Sequence, residues 1–330
     1  MRLGSRFHLR DVQLKKALES DLEHVEQAIS TAIESEFPFA TAAAAHLVGA
    51  GGKRFRPLLT LLAARIGTGV NPHVITAAVV AELTHVATLY HDDVMDEATL
   101  RRGTDSANAC WGNTVAILTG DFLFAKVSRE LAGLGPEAVR IHAETFERLC
   151  IGQINETRGP QAGQDPIDHH VRVLADKTGS LIATSLRYGA MFAGVDSATT
   201  TALTEYGEKI GVAFQLVDDI VDLASDTEDS GKTPGTDLRE GVPTLTTLLV
   251  KSHARSQDQA LVATLSAPIA DEARVQEVIA ELRIHPAIEQ ARAIASDWAT
   301  QARNALAGVP DGTAREALAS LCDYVVERTG

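Results

Sequence analysis

Long stretches of this chain carry apolar residues three and four positions apart among recurring Ala, Leu, Glu and Arg, whereas the every-second-residue alternation of a half-buried strand is scarce. That pattern predicts an all-α fold. Glycine and proline punctuate it at Gly67 to Pro72, Gly133 to Pro136, Gly159 to Pro166, Ser230 to Pro243 and Val309 to Gly312. The segments between these breaks have helical length, and no break has the composition of a flexible linker. A single domain over residues 1–330 is therefore expected. From His73 to Glu97 there is no Gly or Pro, and Val, Ile, Ala and Leu are dense enough for a helix buried on most sides, until its end turns acidic. Thr201 to Ser225 repeats the plan: an apolar helical stretch runs into aspartates, and a Gly/Pro-rich loop follows.

Composition narrows the class. With 330 residues, 45% of them hydrophobic and 22% charged, the chain has the balance of a well-buried globular protein. A net charge of −14 argues against general affinity for nucleic acid or anionic lipid surfaces. Cys110, Cys150 and Cys322 are far apart and form no CxxC pair, so neither a disulfide framework nor a zinc site is indicated, and a cytoplasmic setting is expected. No uninterrupted apolar run approaches the roughly 18 residues of a membrane span. Met1 to Arg10 carries basic residues without a following apolar core, so neither export nor membrane spanning is expected.

The acidic helix ends carry the chemistry. Asp92, Asp93 and Asp96 form a DDxxD motif, and Asp218, Asp219 and Asp222 form a second. Positions i and i+4 share a helix face, so Asp92 with Asp96, and Asp218 with Asp222, can each aim two carboxylates at one point. Such like charges repel unless a hard divalent cation, Mg²⁺ above all, relieves them and leaves positions for phosphate oxygens. One DDxxD could be a solvated acidic helix end; two, each closing an apolar helix, point to metal. Gly51-Gly52-Lys53-Arg54-Phe55-Arg56-Pro57 sets cations on glycines that permit close backbone approach, a phosphate-holding arrangement whose plain alternative is a surface basic cluster. Arg101 and Arg102 follow the first motif, and His85 lies about two helical turns before Asp92. A lone His on such a helix is more often a hydrogen-bonded core residue. His169 and His170 read as a solvated pair in a polar loop.

Taken in order, these residues resemble the trans-isoprenyl diphosphate synthases, also called polyprenyl synthetases. The resemblance runs from Gly51 to Pro57 through His91-Asp92-Asp93-Val94-Met95-Asp96 with Arg101-Arg102-Gly103, Gly120-Asp121-Phe122-Leu123, Gly152-Gln153 with Glu156, and Lys177-Thr178-Gly179-Ser180-Leu181. It ends at Phe214 to Asp222 and at Gly231-Lys232 with Gly235 and Asp237, covering about residues 45–245. Val242 departs from the family, where many members have Lys after the Glu-Gly pair.

The resemblance implies one large bundle of mostly antiparallel helices around a deep central cavity, and a homodimer. It also implies that an allylic diphosphate, held by magnesium between the aspartate motifs, ionises and is attacked by isopentenyl diphosphate with loss of a proton. By similarity, Lys53, Arg56, His85 and Arg102 would grip isopentenyl diphosphate, and Arg101, Lys177 and Lys232 the allylic diphosphate. Thr178 and Gln215 would face the allylic cation, although a helix N-cap and an interior hydrogen bond are the alternatives for these two. Asp92, Asp96, Asp218 and Asp222 would ligate metal, with Asp93 and Asp219 supporting them. The loop from Ser225 to Pro243 would close over the metals through Lys232.

Stepping back along the helix before Asp92 gives Thr88, Thr84, Ala81 and Ala77, with Ala87 beside Thr88. Short-chain relatives place an aromatic residue four or five positions before the first aspartate. One helical turn of about 5.4 Å matches about one isoprene unit, so these small residues predict a long product of about six to ten units, of the kind used for quinone side chains. Close helix packing is the alternative reason for small residues, and Phe122 or Phe124 could plug the path. The competing functions are a short-chain (geranylgeranyl or farnesyl) synthase, a His-Asp metal phosphohydrolase built on His91-Asp92, a terpene cyclase, and a non-catalytic subunit of a two-component synthase. Contact with nucleic acid is not expected, and contact with membrane is at most peripheral, for product release.

Overall fold

The computed structural model describes residues 11–224 and 234–328. Among these, helices dominate and the only strands are two of two residues each, in keeping with the all-α expectation. Helices begin and end where glycine and proline predict. α1 (Val12–Ala32), α2 (Pro38–Gly49), α3 (Phe55–Ala64) and α4 (Pro72–Met95) are followed by a hairpin, β1 (Leu100–Arg101) and β2 (Thr104–Asp105). Then come α5 (Ala107–Trp111), α6 (Asn113–Leu134), α7 (Pro136–Arg158), α8 (Pro166–Leu174), a π-helical turn at Ala175–Gly179, α9 (Ser180–Phe192) and α10 (Ser197–Ala224). The remainder is α11 (Thr236–Glu240), α12 (Leu245–Ser252), α13 (Gln259–Thr264), α14 (Glu272–Ile284), α15 (Pro286–Ala305) and α16 (Thr313–Glu327). Pro38, Pro72, Pro136, Pro166 and Pro286 each open a helix, the position where a missing N–H removes no intrahelical bond.

The chain divides into two compact units. The first comprises residues 1–146, 181–204 and 307–318. Its most extensive helix pairing is α4 with α6, and Gly120 explains the close approach: a Cβ there would lie 2.3 Å from His91 Nε2 and 3.2 Å from the Ala87 carbonyl. α4 is long and apolar enough to cross a membrane by length and composition, but 67% of its most apolar window is buried inside the fold, the setting of a core helix. The hairpin strands pair antiparallel, Leu100 with Asp105 and Arg101 with Thr104. Arg102 (φ 54°) and Gly103 (φ 78°) form the turn, both in the left-handed region that matches hairpin twist.

The second unit comprises residues 147–180, 205–306 and 319–330. Its core sets α12, buried from Leu245 to Val250, against α15 and α8. α15 presents Ala287, Ala291, Ala295, Ala299 and Ala302 as one buried stripe, small residues that allow a close helix neighbour.

Within the first unit, α9 meets α3 at Gly189, where a Cβ would fall 2.0 Å from the Thr60 carbonyl oxygen. Gly189→Ala is therefore expected to lower the unfolding free energy by about 3 kcal/mol. Gly133→Ala, where a Cβ meets nothing within 4 Å, is expected to raise it by about 0.5–1 kcal/mol. Urea denaturation of both variants checks the contrast.

Candidate active site

In the first unit, between Ala77 and Tyr90 of α4, only His85, Thr88 and Leu89 escape full burial, and Asp92 and Asp96 continue the same open stripe. Asp93, one residue and about 100° further round the helix, is wholly buried. It accepts from Arg101 Nε at 2.6 Å. Burial pushes the Asp93 carboxyl above its usual range, and Arg101 opposes that shift. The hairpin thus holds Arg101 through the aspartate that does not face the stripe.

The glycine–basic segment resolves into separate tasks. Lys53 is exposed. Arg54, in the left-handed conformation at φ 46°, is 4% exposed. It donates to Glu82 at 2.9 Å, to the Val48 carbonyl at 2.9 Å, and to both oxygens of Glu26. Arg56 has a buried Nε without a hydrogen-bond partner, and burial draws its guanidinium down to about 10 despite Glu82. Arg102 donates to the carbonyls of Leu47, at 2.8 Å, and Gly51. A Cβ on Gly52 would crowd that guanidinium at 3.2 Å, so the second glycine makes room for the arginine. Burial, then Arg56, Arg102, Arg101 and Arg54 in turn, push His85 well below the usual histidine range. His85 is a neutral imidazole among four cations.

Thr84 and Thr88 return their hydroxyls to the helix, donating to the carbonyls of Val80 at 2.7 Å and His85 at 2.8 Å. Ala77, Ala81, Thr84 and Ala87 have no exposed surface, and the Ala87 carbonyl backs onto Gly120 of α6. Phe124 lies 4.6 Å from Phe146 and 5.8 Å from His91, ring to ring, while Phe122 lies beneath Lys126. His91 faces α6, with Nε2 3.1 Å from the Ile117 carbonyl and 3.5 Å from Asp121.

In the second unit, α10 has a matching half-open stripe of Phe214, Gln215, Asp218, Val221 and Asp222, with Asp219 buried beside it. Gln215 receives a 3.5 Å hydrogen bond from Thr178 and donates to Asp219 at 3.3 Å. Asp219 also faces His170 Nε2 at 3.4 Å; burial raises its carboxyl while His170 and Gln215 pull it down. This corrects the solvated-loop expectation for His169 and His170. Both lie in α8, which Asp165 caps by accepting from the amides of Ile167 and Asp168; His169 is buried and bonded to the Asn155 carbonyl at 3.2 Å. Lys177, carried by the π-turn, meets Glu156 at 2.5 Å. Asp218 pairs with Arg328 at 2.6 Å, whose guanidinium also covers the Phe214 ring at 5.1 Å. Asp222 accepts from the amides of Thr236 and Asp237, each at 3.4 Å. Lys232 and residues 225–233 of the predicted closing loop lie outside the described residues.

Glu26, Glu82, Arg148 and Arg328 are contributors that motif reading missed, and the partners of Arg54 and His170 were not foreseen. Their partners are distant in sequence, and only the glycines at 52, 120 and 152 hinted at the close approaches around them.

The sequence profile of the polyprenyl synthetases matches residues 38–282. The chain belongs to the polyprenyl synthetase family. A nonaprenyl diphosphate synthase of Mycobacterium tuberculosis is 46% identical over 323 residues, covering 98% of this polyprenyl synthetase and 96% of that protein. Among solved structures, a geranylgeranyl pyrophosphate synthase from Corynebacterium glutamicum, complexed with calcium and isoprenyl diphosphate, is 41% identical with a TM-score of 0.88, covering 98% of this chain and 99% of that one. A decaprenyl diphosphate synthase from Rhodobacter capsulatus is 33% identical with a TM-score of 0.88, covering 96% and 99%.

The donors of this synthetase fit a divalent cation. On its half-open stripe each motif offers two carboxylates, Asp92 with Asp96 and Asp218 with Asp222. Among the described residues no three acidic, imidazole or thiol groups converge on one point. Two carboxylates per motif suit a hard ion that keeps waters and shares phosphate oxygens, not the fuller His-Asp ligand set of a phosphohydrolase.

Glu82→Gln leaves the buried Arg54 with one fewer charge partner, and is expected to destabilise the synthetase by about 3 kcal/mol in chemical denaturation. The Arg54→Met/Glu82→Met double variant, which buries no unpaired charge, is expected to recover part of that loss.

Proposed function

We propose that this polyprenyl synthetase extends an allylic diphosphate primer with isopentenyl diphosphate to an all-trans, long-chain polyprenyl diphosphate of about six to ten isoprene units. The carrying observation is the pairing, on α4, of a two-carboxylate stripe with a cluster of arginines around a neutral His85. Asp92, Asp96, Asp218 and Asp222 are the assigned ligands of Mg²⁺. When bound, that ion neutralises the leaving diphosphate.

The chain's own residues do the rest. Lys53, Arg56 and Arg102 hold the diphosphate of isopentenyl diphosphate, and His85, uncharged, donates one hydrogen bond to it. Arg101, held through Asp93, and Lys177, with Lys232, neutralise the allylic diphosphate. Thr178 and Gln215 turn oxygen dipoles toward the developing allylic cation. The C–O bond ionises to the allylic cation and released diphosphate, the alkene of isopentenyl diphosphate then adds to C1, and the proton lost from the adduct passes to the released diphosphate.

Product length is assigned to Thr88, Ala87, Thr84 and Ala81, whose bulk is small and whose hydroxyls are turned back into the helix. The nonaprenyl and decaprenyl relatives support a long chain; the 41% identical geranylgeranyl pyrophosphate synthase favours a second reading, a four-unit product. A homodimer belongs to the same reading, and three cysteines that form no disulfide fit a cytoplasmic setting.

Incubation with labelled isopentenyl diphosphate, allylic primers of increasing length and Mg²⁺ is expected to give products beyond four units. No elongated product sinks the assignment, and a four-unit limit selects the second reading. Thr88→Phe is expected to shorten the product by at least one unit. An unchanged length distribution removes Thr88 from the wall.

A further inference from the structure

The π-turn that carries Lys177 and Thr178 is a rare geometry, one residue wider than an α-turn, and it persists where neighbours over-determine it. Here α7 supplies three such neighbours four residues apart on one face. Arg148 donates to Asp176 Oδ1 at 2.9 Å and to the Ala175 carbonyl at 3.4 Å. Gly152, one turn on, leaves the space a side chain would fill: its Cβ would stand 2.8 Å from the Lys177 backbone nitrogen. Glu156, a further turn on, holds the Lys177 ammonium at 2.5 Å. Arg148 also grips both carboxylate oxygens of Glu208 on α10, Nη2 to Oε2 at 3.1 Å. Opposite it, a Cβ on Gly179 would meet the Glu208 carbonyl at 3.1 Å. The turn is wedged between α7 and α10, with a glycine at each contact and the Arg148 guanidinium bonded to both the turn and α10.

We propose that Arg148 is a positioning residue for prenyl transfer: its fork between Asp176 and Glu208 sets the π-turn that aims Lys177 and Thr178 at the allylic diphosphate. This rests on the assignment of Lys177 to that substrate. Arg148 touches no reacting atom; it acts through the backbone of the turn. A lysine replaces it only in part, because a single ammonium lacks the guanidinium's fork of donors to two carboxylates and a carbonyl.

The test is a double-variant cycle read by calorimetric binding of a non-ionising allylic thiolodiphosphate, with isopentenyl diphosphate binding and the melting temperature measured alongside. Arg148→Met is expected to weaken the allylic analogue roughly tenfold, the size of a lost charge-assisted contact. Isopentenyl diphosphate binding is expected to stay within about twofold, and Arg148→Lys to recover only part of the loss. In a Lys177→Met background, Arg148→Met is expected to add no more than about twofold, because the two act in series. An equal effect in both backgrounds, an equal loss for both ligands, or no effect at all overturns the proposal. If Arg148→Met does not fold, Asp176→Asn, which removes only the turn's arm of the fork, goes through the same cycle with the same criteria. Wild-type protein that binds the analogue but elongates nothing would fault the assigned reaction and leave the positioning role standing.

Discussion

One buried guanidinium joins three helices of the first unit. Arg54 bonds Glu26 on α1, Glu82 on α4 and the last-turn carbonyl of Val48 on α2. A cation taken out of water is tolerated only with partners of this quality, so its neighbours have little freedom. The left-handed backbone at Arg54 sends Lys53 to solvent and starts α3 with Arg56 inward. Arg102, capping the carbonyls of Leu47 and Gly51, closes the same corner from the hairpin. Arginines bound by the fold thus frame those assigned to phosphate, and burial, reinforced by the field of the arginines, holds His85 well below the usual histidine range.

Both units handle their aspartates alike. In each DDxxD the first and third carboxylates lie on a half-open stripe of an otherwise buried helix, and the second turns into the fold. Asp93 meets Arg101; Asp219 meets His170 and Gln215. The turned-in carboxylate ties the half-open stripe to a residue assigned to the substrate, so one motif spacing places both the open carboxylates and the buried one that braces them. Arg328 at Asp218 adds an internal cation where the sequence showed only acid.

Much of this was legible beforehand. Helix limits followed Pro72, Pro136 and Pro166 within a residue or two, because capping and the absence of a proline N–H act locally. The stripe Asp92–Asp96 and the isolation of Asp93 follow from 3.6 residues per turn. His169 and His170 misled, since two adjacent histidines in a polar stretch look solvated. The spacing of Ile167, Val171 and Leu174 around them was the overlooked helical signal.

Periodicity and caps were enough, without coordinates, to indicate an all-α fold and which helix ends carry the aspartate motifs, and the motif residues carried the resemblance to the polyprenyl synthetases, because each depends on residues within a few turns of one another. Only the tertiary structure decided which charges belong to the fold and which are left for a ligand. Arg54 and Arg56 stand two residues apart in one basic segment, yet one is bound by carboxylates and the other keeps a buried, unpartnered Nε. Arg148 reaches a glutamate sixty residues away. Such choices are made by helix packing, which sets distances between residues that local sequence does not relate.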